Sequence, residues 1–460
     1  MLEIDAFVYL LFYLSWAWAL LLAFFSPISP AYLFLTVFLF LGIWVKFHLY
    51  SLFSIPLVEP VGAFDFSLAA WQEVLMVSAT AGFGLLASRL AFLYFFRKKK
   101  LRTWDPQDRQ TIPPLWYLRR RSLLLFVTIL SVALLALINL NWAVYQIGMN
   151  PKFVLPLKIN IMLAWLINWG AALWVAMIFY WELCGKLSRF PLVYFLPIFE
   201  AAIGAIGMLS RSSYLFHSGI YVYQFFMSGI AANNKLKVRE FLVLVGIFLV
   251  TLVVVLGVVQ TLRWQAYISP DGSTVATVGT SVANTPSPAI AERMAGIDIG
   301  WVRSHVAKLI AQRWVGLEGV MVVQAQPAKG IPLFTEALGE SPKLGQNSLY
   351  QKMAQSSYGD RAGYTFLTLT GVVAFFYYSG SLSVVFWGMC LTGVLICVPE
   401  LLARKWLNNP YVLSLAGVAT AYTIVQLTFA YLVLVFLVQL WVSLFVLAWV
   451  DRIGSRQVIG

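Results

Sequence analysis

The sequence predicts an all-α, polytopic integral membrane helix bundle of about twelve transmembrane helices, interrupted late in the chain by one large external loop domain. Three observations carry that expectation. The chain is 61% hydrophobic and 11% charged, against roughly 25% charged in soluble domains. Apolar runs of about twenty residues recur along it, long enough to cross a hydrocarbon layer in which every backbone group must bond within its own helix. Between Leu262 and Gly363 that pattern gives way to about a hundred mostly polar residues, a length that a simple connection does not need.

The helices are expected at 5–25, 30–52, 71–96, 122–143, 159–183, 190–209, 214–231, 239–261, 364–379, 382–402, 411–428 and 430–450. The first run, Ala6 to Phe25, follows Glu3 and Asp5 and has neither a basic flank nor a small-residue cleavage site, so it reads as a retained helix. Arg97 to Arg121 holds nine basic against two acidic residues and marks a cytoplasmic loop. Counting from it, 184–189 and 233–239 also fall inside. Segments 53–70, 144–158, 210–213 and the large loop fall outside. Both termini then come out external, although Arg404, Lys405, Arg452 and Arg456 pull the last helices the other way. Three units result: an N-terminal bundle of about eight helices (1–261), the loop domain (262–363) and a C-terminal bundle of about four helices (364–460).

Composition also excludes. The three cysteines, Cys184, Cys390 and Cys397, lie in or beside apolar segments, which rules out a disulfide scaffold or a Cys-based zinc site in the loop. The net charge of +13 is densest beside membrane helices, which points to topology and not to nucleic acid. The chain has no phosphate loop of the GxxxxGK[ST] type, no HExxH and no GxSxG. With three histidines and no external DxD pair, neither a metal site nor a cofactor is expected.

Within the large loop, 269–288 reads as irregular. Val302, Val306, Leu309 and Ile310 recur at helical spacing and predict an amphipathic helix over 299–315. Arg303 and Arg313 lie about 80° apart on that helix and can converge on one anion, a use that suits the guanidinium fork; a solvated face is the alternative. Arg293, Lys308 and Arg361 are weaker members of the set. Arg211, in the SRSSY stretch between two helices, stands near the membrane surface with Tyr214 beside it and His217 one turn on. It either snorkels or serves a phosphate at headgroup level. Glu318, flanked by Gly316 and Gly319, is expected on an exposed turn as a general base, or else salt-bridged to Arg313. His305 is the competing base and Asp298 the third choice. Glu200 and Arg89 are charges within apolar runs; Glu200 is expected to face a polar cavity or a buried Asn such as Asn168, Arg89 to snorkel. Lys46 and His48 read as interfacial.

The layout, with RWVGLEGVM at 313–321 and AFFYYSGSLSVVFWGM at 374–389, resembles bacterial O-antigen and exopolysaccharide repeat-unit polymerases of the Wzy type. The resemblance implies a metal-independent glycosyltransferase of the inner membrane that works at its periplasmic face. Its substrates would be undecaprenyl-pyrophosphate-linked oligosaccharides in the presence of membrane lipids, with a chain-length regulator protein as a candidate partner. It also implies that Arg211, Arg303 and Arg313 hold the pyrophosphate, with Tyr214 and His217 beside them, while Glu318 or His305 deprotonates the acceptor hydroxyl. An O-antigen ligase is the nearest alternative. From another class comes a transporter or flippase for lipid-linked sugars, which needs a polar path through the bundle.

Overall fold

The computed structural model describes residues 5–25, 29–55, 57, 59–96, 113–147, 152, 156–185, 187, 192–231, 238–267, 314–341, 347–355, 369–407 and 409–455. These residues are mostly helical, with no strand among them. In chain order they form α1 (Ala6–Phe25), α2 (Pro30–Phe53), α3 (Leu68–Phe96), α4 (Leu115–Arg119), α5 (Arg121–Trp142) and α6 (Leu157–Trp165 with Ala171–Cys184). There follow α7 (Phe195–Gly207), α8 (Arg211–Ala231), α9 (Val238–Tyr267), α10 (Leu317–Gln324), α11 (Ile331–Gly339) and α12 (Leu349–Met353). The last four are α13 (Val372–Tyr377), α14 (Leu382–Trp406), α15 (Pro410–Val425) and α16 (Ala430–Ser455). Two of the long helices change their winding partway: Phe40–Val45 within α2 and Leu166–Gly170 within α6 are π-helical.

Several starts follow from local chemistry. Ser29 caps α2 by accepting from the Tyr32 N–H, and Asn409 caps α15 by accepting from Tyr411 and Val412; each is followed by a proline at the first helical position. A short polar acceptor then Pro suits a helix N-terminus, because the cap satisfies free N–H groups and the proline has none to satisfy.

Among the described residues, seven helices are long and apolar enough to cross a membrane: Ala6–Phe24, Pro30–Phe53, Leu68–Phe95, Arg121–Trp142, Ile159–Cys184, Val238–Arg263 and Ala430–Ile453. The chain therefore has the character of a multi-pass membrane protein. The expected count of about twelve is larger. Each expected segment overlaps a helix, but the one at 364–379 is represented by the six residues of α13, and Leu192–Gly207 and Pro410–Val425 are shorter than a span. The predicted amphipathic helix over 299–315 lies almost wholly outside the described residues.

α3 is the axis of the bundle, packed along α1 and α14, while α2 packs along α15. Small residues let these backbones approach: a Cβ on Gly84 would stand 2.5 Å from Phe386 O, and one on Gly393 would overlap Ser88 Oγ. Close approach of this kind supplies helix association where lipid removes the hydrophobic drive. By contrast α5, α9 and α16 keep most of their apolar surface outward, as helices facing lipid do. At the end of the bundle away from the 54–67 connection, Glu182 of α6 accepts from Tyr117 (2.6 Å) and Arg121 (2.7 and 2.8 Å), which locks α4, α5 and α6 together.

The α3–α14 seam should not tolerate bulk. Gly393→Leu is expected to cost about 1–3 kcal/mol by overpacking, seen as a lowered thermal midpoint and a broadened size-exclusion peak of the detergent-purified protein. A variant that melts like the parent would show that the seam carries no such constraint.

Candidate functional site

The site is built where two helices shorter than a span are folded into the bundle. α10 begins at Gly316, whose backbone lies against Gly42 and Ile43 of α2. Gly42 is eleven residues before the Phe53 end of α2, so α10 starts about 16 Å below that end at 1.5 Å per residue. All residues from Leu317 to Val323 are buried. Two glycines permit this course: a Cβ on Gly42 would overlap Val315 O, and one on Gly319 would overlap Thr370 O. α13 starts beside it at Gly371, whose φ of +82° is a conformation that glycine adopts without strain. Backbone that is neither a full span nor exposed is tolerated at membrane depth when protein surrounds it.

Glu318 is thus not on an exposed turn. It is 4% exposed and paired with Lys46, whose Nζ lies 2.8 and 2.7 Å from its two carboxylate oxygens and donates also to Trp314 O at 2.5 Å. Lys46 is correspondingly buried and not interfacial. Burying both charges costs several kcal/mol per ion before their attraction and hydrogen bonds offset it. Lys46 directly follows the π-helical stretch Phe40–Val45, a form of winding frequent at functional sites. Both carboxylate oxygens of Glu318 are thus engaged by Lys46, where the sequence suggests a bridge to Arg313 or an open turn. Next to it, burial and the Glu318 charge push the Tyr350 phenol well above its ordinary range.

Above this pair, Glu73 of α3 gathers the far ends of both short helices. It accepts from Lys329 Nζ (2.7 Å), from Gln324 Nε2 (2.9 Å) and from the Tyr377 hydroxyl. Lys329 also donates to Gln324 O at 2.9 Å and stands 5.5 Å from the Tyr377 ring centre. Burial raises the carboxyl of Glu340, which accepts the Leu349 N–H at 2.6 Å.

A second buried pair lies in the same bundle. His217 Nδ1 of α8 is 3.2 Å from Glu200 Oε1 of α7, with the two side chains 1% and 2% exposed. Glu200 therefore meets an imidazole and not Asn168, whose amide is 3.4 Å from the Tyr145 hydroxyl. Trp169, in the other π-helical stretch, places its ring 5.1 Å from the His217 ring. A chain of aromatic contacts joins the two pairs: Trp314 to Phe38 (5.6 Å), Phe38 to Phe216 (5.4 Å), Phe216 to Tyr422 (4.7 Å), Tyr422 to Trp169 (6.5 Å).

The other expected site residues separate. Tyr214 is buried and donates to Phe248 O at 3.0 Å, and Arg211 donates to Gln260 at 3.3 Å, both on α9. Ser210 caps the start of α8 by accepting from the Ser213 N–H and hydroxyl. Arg211, Tyr214 and His217 thus serve different neighbours. Arg303, His305 and Arg313, with Arg293, Asp298, Lys308 and Arg361, lie outside the described residues. Arg89 does not snorkel: it is 1% exposed, with its guanidinium 4.9 Å from the Tyr32 ring centre and 3.8 Å from Cys397 Sγ. No group of His, Cys, Asp and Glu suited to a metal ion occurs among the described residues.

Fold and site together have the character of a multi-pass helical membrane protein with ion pairs and short buried helices inside its bundle. No protein family, curated protein or solved structure matches the chain.

Removing one charge of the Lys46–Glu318 pair strands the other in the interior, so Glu318→Gln and Lys46→Met should each cost about 3–5 kcal/mol. The double variant Lys46→Met, Glu318→Leu should recover most of that loss, because both charges leave together. Thermal unfolding in detergent across this double-mutant cycle measures it; additive losses would show that the two side chains do not act as a pair.

Proposed function

We propose that this chain is a membrane transport protein that moves a lipid-linked polar solute, of the lipid-linked sugar kind, across the bilayer. The observation that carries the reading is the short, buried α10, which brings Glu318 to Lys46 inside the bundle. Ionisable residues within membrane spans cost so much that substrate paths and relays are their commonest use. Short helices that begin at membrane depth beside charged groups are the way many transporters build a binding site. The second buried pair, Glu200 and His217, extends the polar groups along the same interior.

A lipid tail has a place beside this interior. An apolar groove of about 390 Å³ runs between α1 and α2, lined by Tyr13, Leu20, Phe24, Phe40 and Trp44 among others. Phe40 and Trp44 belong to the π-helical stretch, whose following residue is Lys46. A tail held in the groove and a polar head drawn toward Lys46 would be handled on the two sides of one helix.

A second reading, the repeat-unit polymerase implied by the resemblance, is favoured by one feature: Arg211 is partly exposed at the start of α8 among Ser210, Ser212 and Ser213, where an anion at headgroup level could be met. In that reading the donor is an undecaprenyl-pyrophosphate oligosaccharide at the periplasmic face, and Arg303, Arg313 and His305 would complete the site.

One assay separates the two. Vesicles containing the protein and a fluorescent polyprenyl-pyrophosphate oligosaccharide, treated with a membrane-impermeant quencher, should lose the signal of both leaflets. The Lys46→Met, Glu318→Leu variant should slow that loss at least tenfold, about 1.4 kcal/mol in barrier. Glycan lengthening with release of prenyl pyrophosphate, abolished by Arg211→Ala, would instead support the polymerase; parent vesicles that protect the inner leaflet as empty ones do would sink the transport reading.

A further inference from the structure

The His217–Glu200 pair holds more than a salt bridge. His217 Nδ1 and Glu200 Oε1 are 3.2 Å apart; with Glu200 as a carboxylate, which can only accept, Nδ1 carries the hydrogen and donates it. In the neutral ring Nε2 is then left with a lone pair. That nitrogen is buried and has no hydrogen-bond partner among the described residues, and neither has the buried Nε1–H of Trp169. Such groups cost about 1–3 kcal/mol each when left unmade, so two of them on rings 5.1 Å apart are conspicuous. Their place is deep: His217 is six residues into α8, about 9 Å along the helix, and Glu200 is seven residues from the end of α7, about 10 Å.

We infer that Nε2 of His217 is a proton-accepting site inside the bundle, with Glu200 as the group that orients the ring and balances its charge. The proton comes from the aqueous phase and bonds to the Nε2 lone pair, while the Nδ1–H stays donated to Glu200. No other bond changes. With Glu200 ionised, the pair passes from a buried net charge of −1 to a neutral ion pair, which is the cheaper state in a low-dielectric interior.

Among the described residues, the ionisable groups recorded around the pair are Tyr221, on the same helix as His217 and within the field of Glu200, and Tyr422 of α15, whose ring lies 6.5 Å from that of Trp169. Cations on the neighbouring elements have other engagements: Arg211 donates to Gln260, Arg263 of α9 donates to Leu209 O at the helix end, and the Glu182 carboxylate of α6 is taken by Arg121. The π-helical winding of Leu166–Gly170 sets Trp169 against the imidazole, and a π-helical turn is a place where a helix can rewind as the charge changes. The use assigned to the proton, driving transport, rests on the transport reading above; the protonation itself does not.

The chain has three histidines, His48, His217 and His305, so nitrogen NMR of protein labelled with ¹⁵N-histidine in lipid nanodiscs reads the site directly. The variant His48→Gln, His305→Gln leaves His217 as the single signal and spares the buried pair. At about pH 8 it should show a protonated Nδ1 and a bare Nε2, and on acidification toward about pH 5 both nitrogens should become protonated. Glu200→Gln should lower the proton affinity at least tenfold, about one pH unit. An Nε2–H tautomer, or one unchanging protonation state across that range, would overturn the site; a midpoint unmoved by Glu200→Gln would overturn the part given to Glu200. Translocation that keeps the same rate when His217 is neutral and when it is charged would remove the coupling while leaving both the titration and the transport assay standing on their own results.

Discussion

A lysine and a glutamate that are both buried in an apolar bundle constrain everything around them. Each charge has been taken out of water at a cost of several kcal/mol, and neither can be left alone in the interior. Because Lys46 sits on a long helix and Glu318 on a helix of eight residues, the pair fixes the short helix to the long one. Lys46 adds a bond to Trp314 O, so the residues that lead into α10 are held at the same point. Gly42, Gly319 and Gly371 are then required by geometry: the chain on either side of the pair passes so near other backbone that a side chain would collide or be strained.

The other end of α10 is held differently. Glu73 belongs to α3, the axis of the bundle, and binds the end of α10 through Gln324, the following turn through Lys329 and the end of α13 through Tyr377. The short helices are therefore clamped at two levels, by a fully buried pair below and by a partly exposed network above, in which Glu73 is 40% and Lys329 24% exposed. The lower clamp is the more expensive to open. The aromatic chain from Trp314 to Trp169 connects it with the Glu200–His217 pair, so two polar pairs far apart along the sequence share one packed interior.

Much of the fold can be read from the residues, because length and apolarity alone decide which segments suit a bilayer. The helices expected from 30 and 411 start at Pro30 and Pro410, where Ser29 and Asn409 supply local caps. The partners of charges are not local. Glu318 between Gly316 and Gly319 reads as an exposed turn, since glycines near a carboxylate suggest room for a ligand; in the structure the room is taken by Thr370 O and Ile43. Lys46 reads as interfacial because it stands only seven residues before the end of α2, and nothing in its own segment shows that Glu318, 272 positions away, covers it. Glu200 and His217 each stand out singly, but only the antiparallel packing of α7 on α8 makes them a pair. Segment 364–379 has the composition of a span, yet among its described residues, 369–379, the helix is six residues long, as Gly371 with its positive φ sets the start and the turn after Tyr377 sets the end.

The shortness of α10 and α13 has a consequence for how the protein is made. Cellular insertion machinery selects segments by hydrophobic length, about twenty residues for a helix that spans. α10 has eight residues and carries an ionised group, and α13 has six, so neither qualifies on its own terms. The long helices must enter first and offer Lys46, Glu73 and the space that Gly42 leaves open on α2. Only then can the short pieces leave the aqueous side and seat themselves. Biogenesis of this chain is therefore ordered in time, with its charged interior completed last.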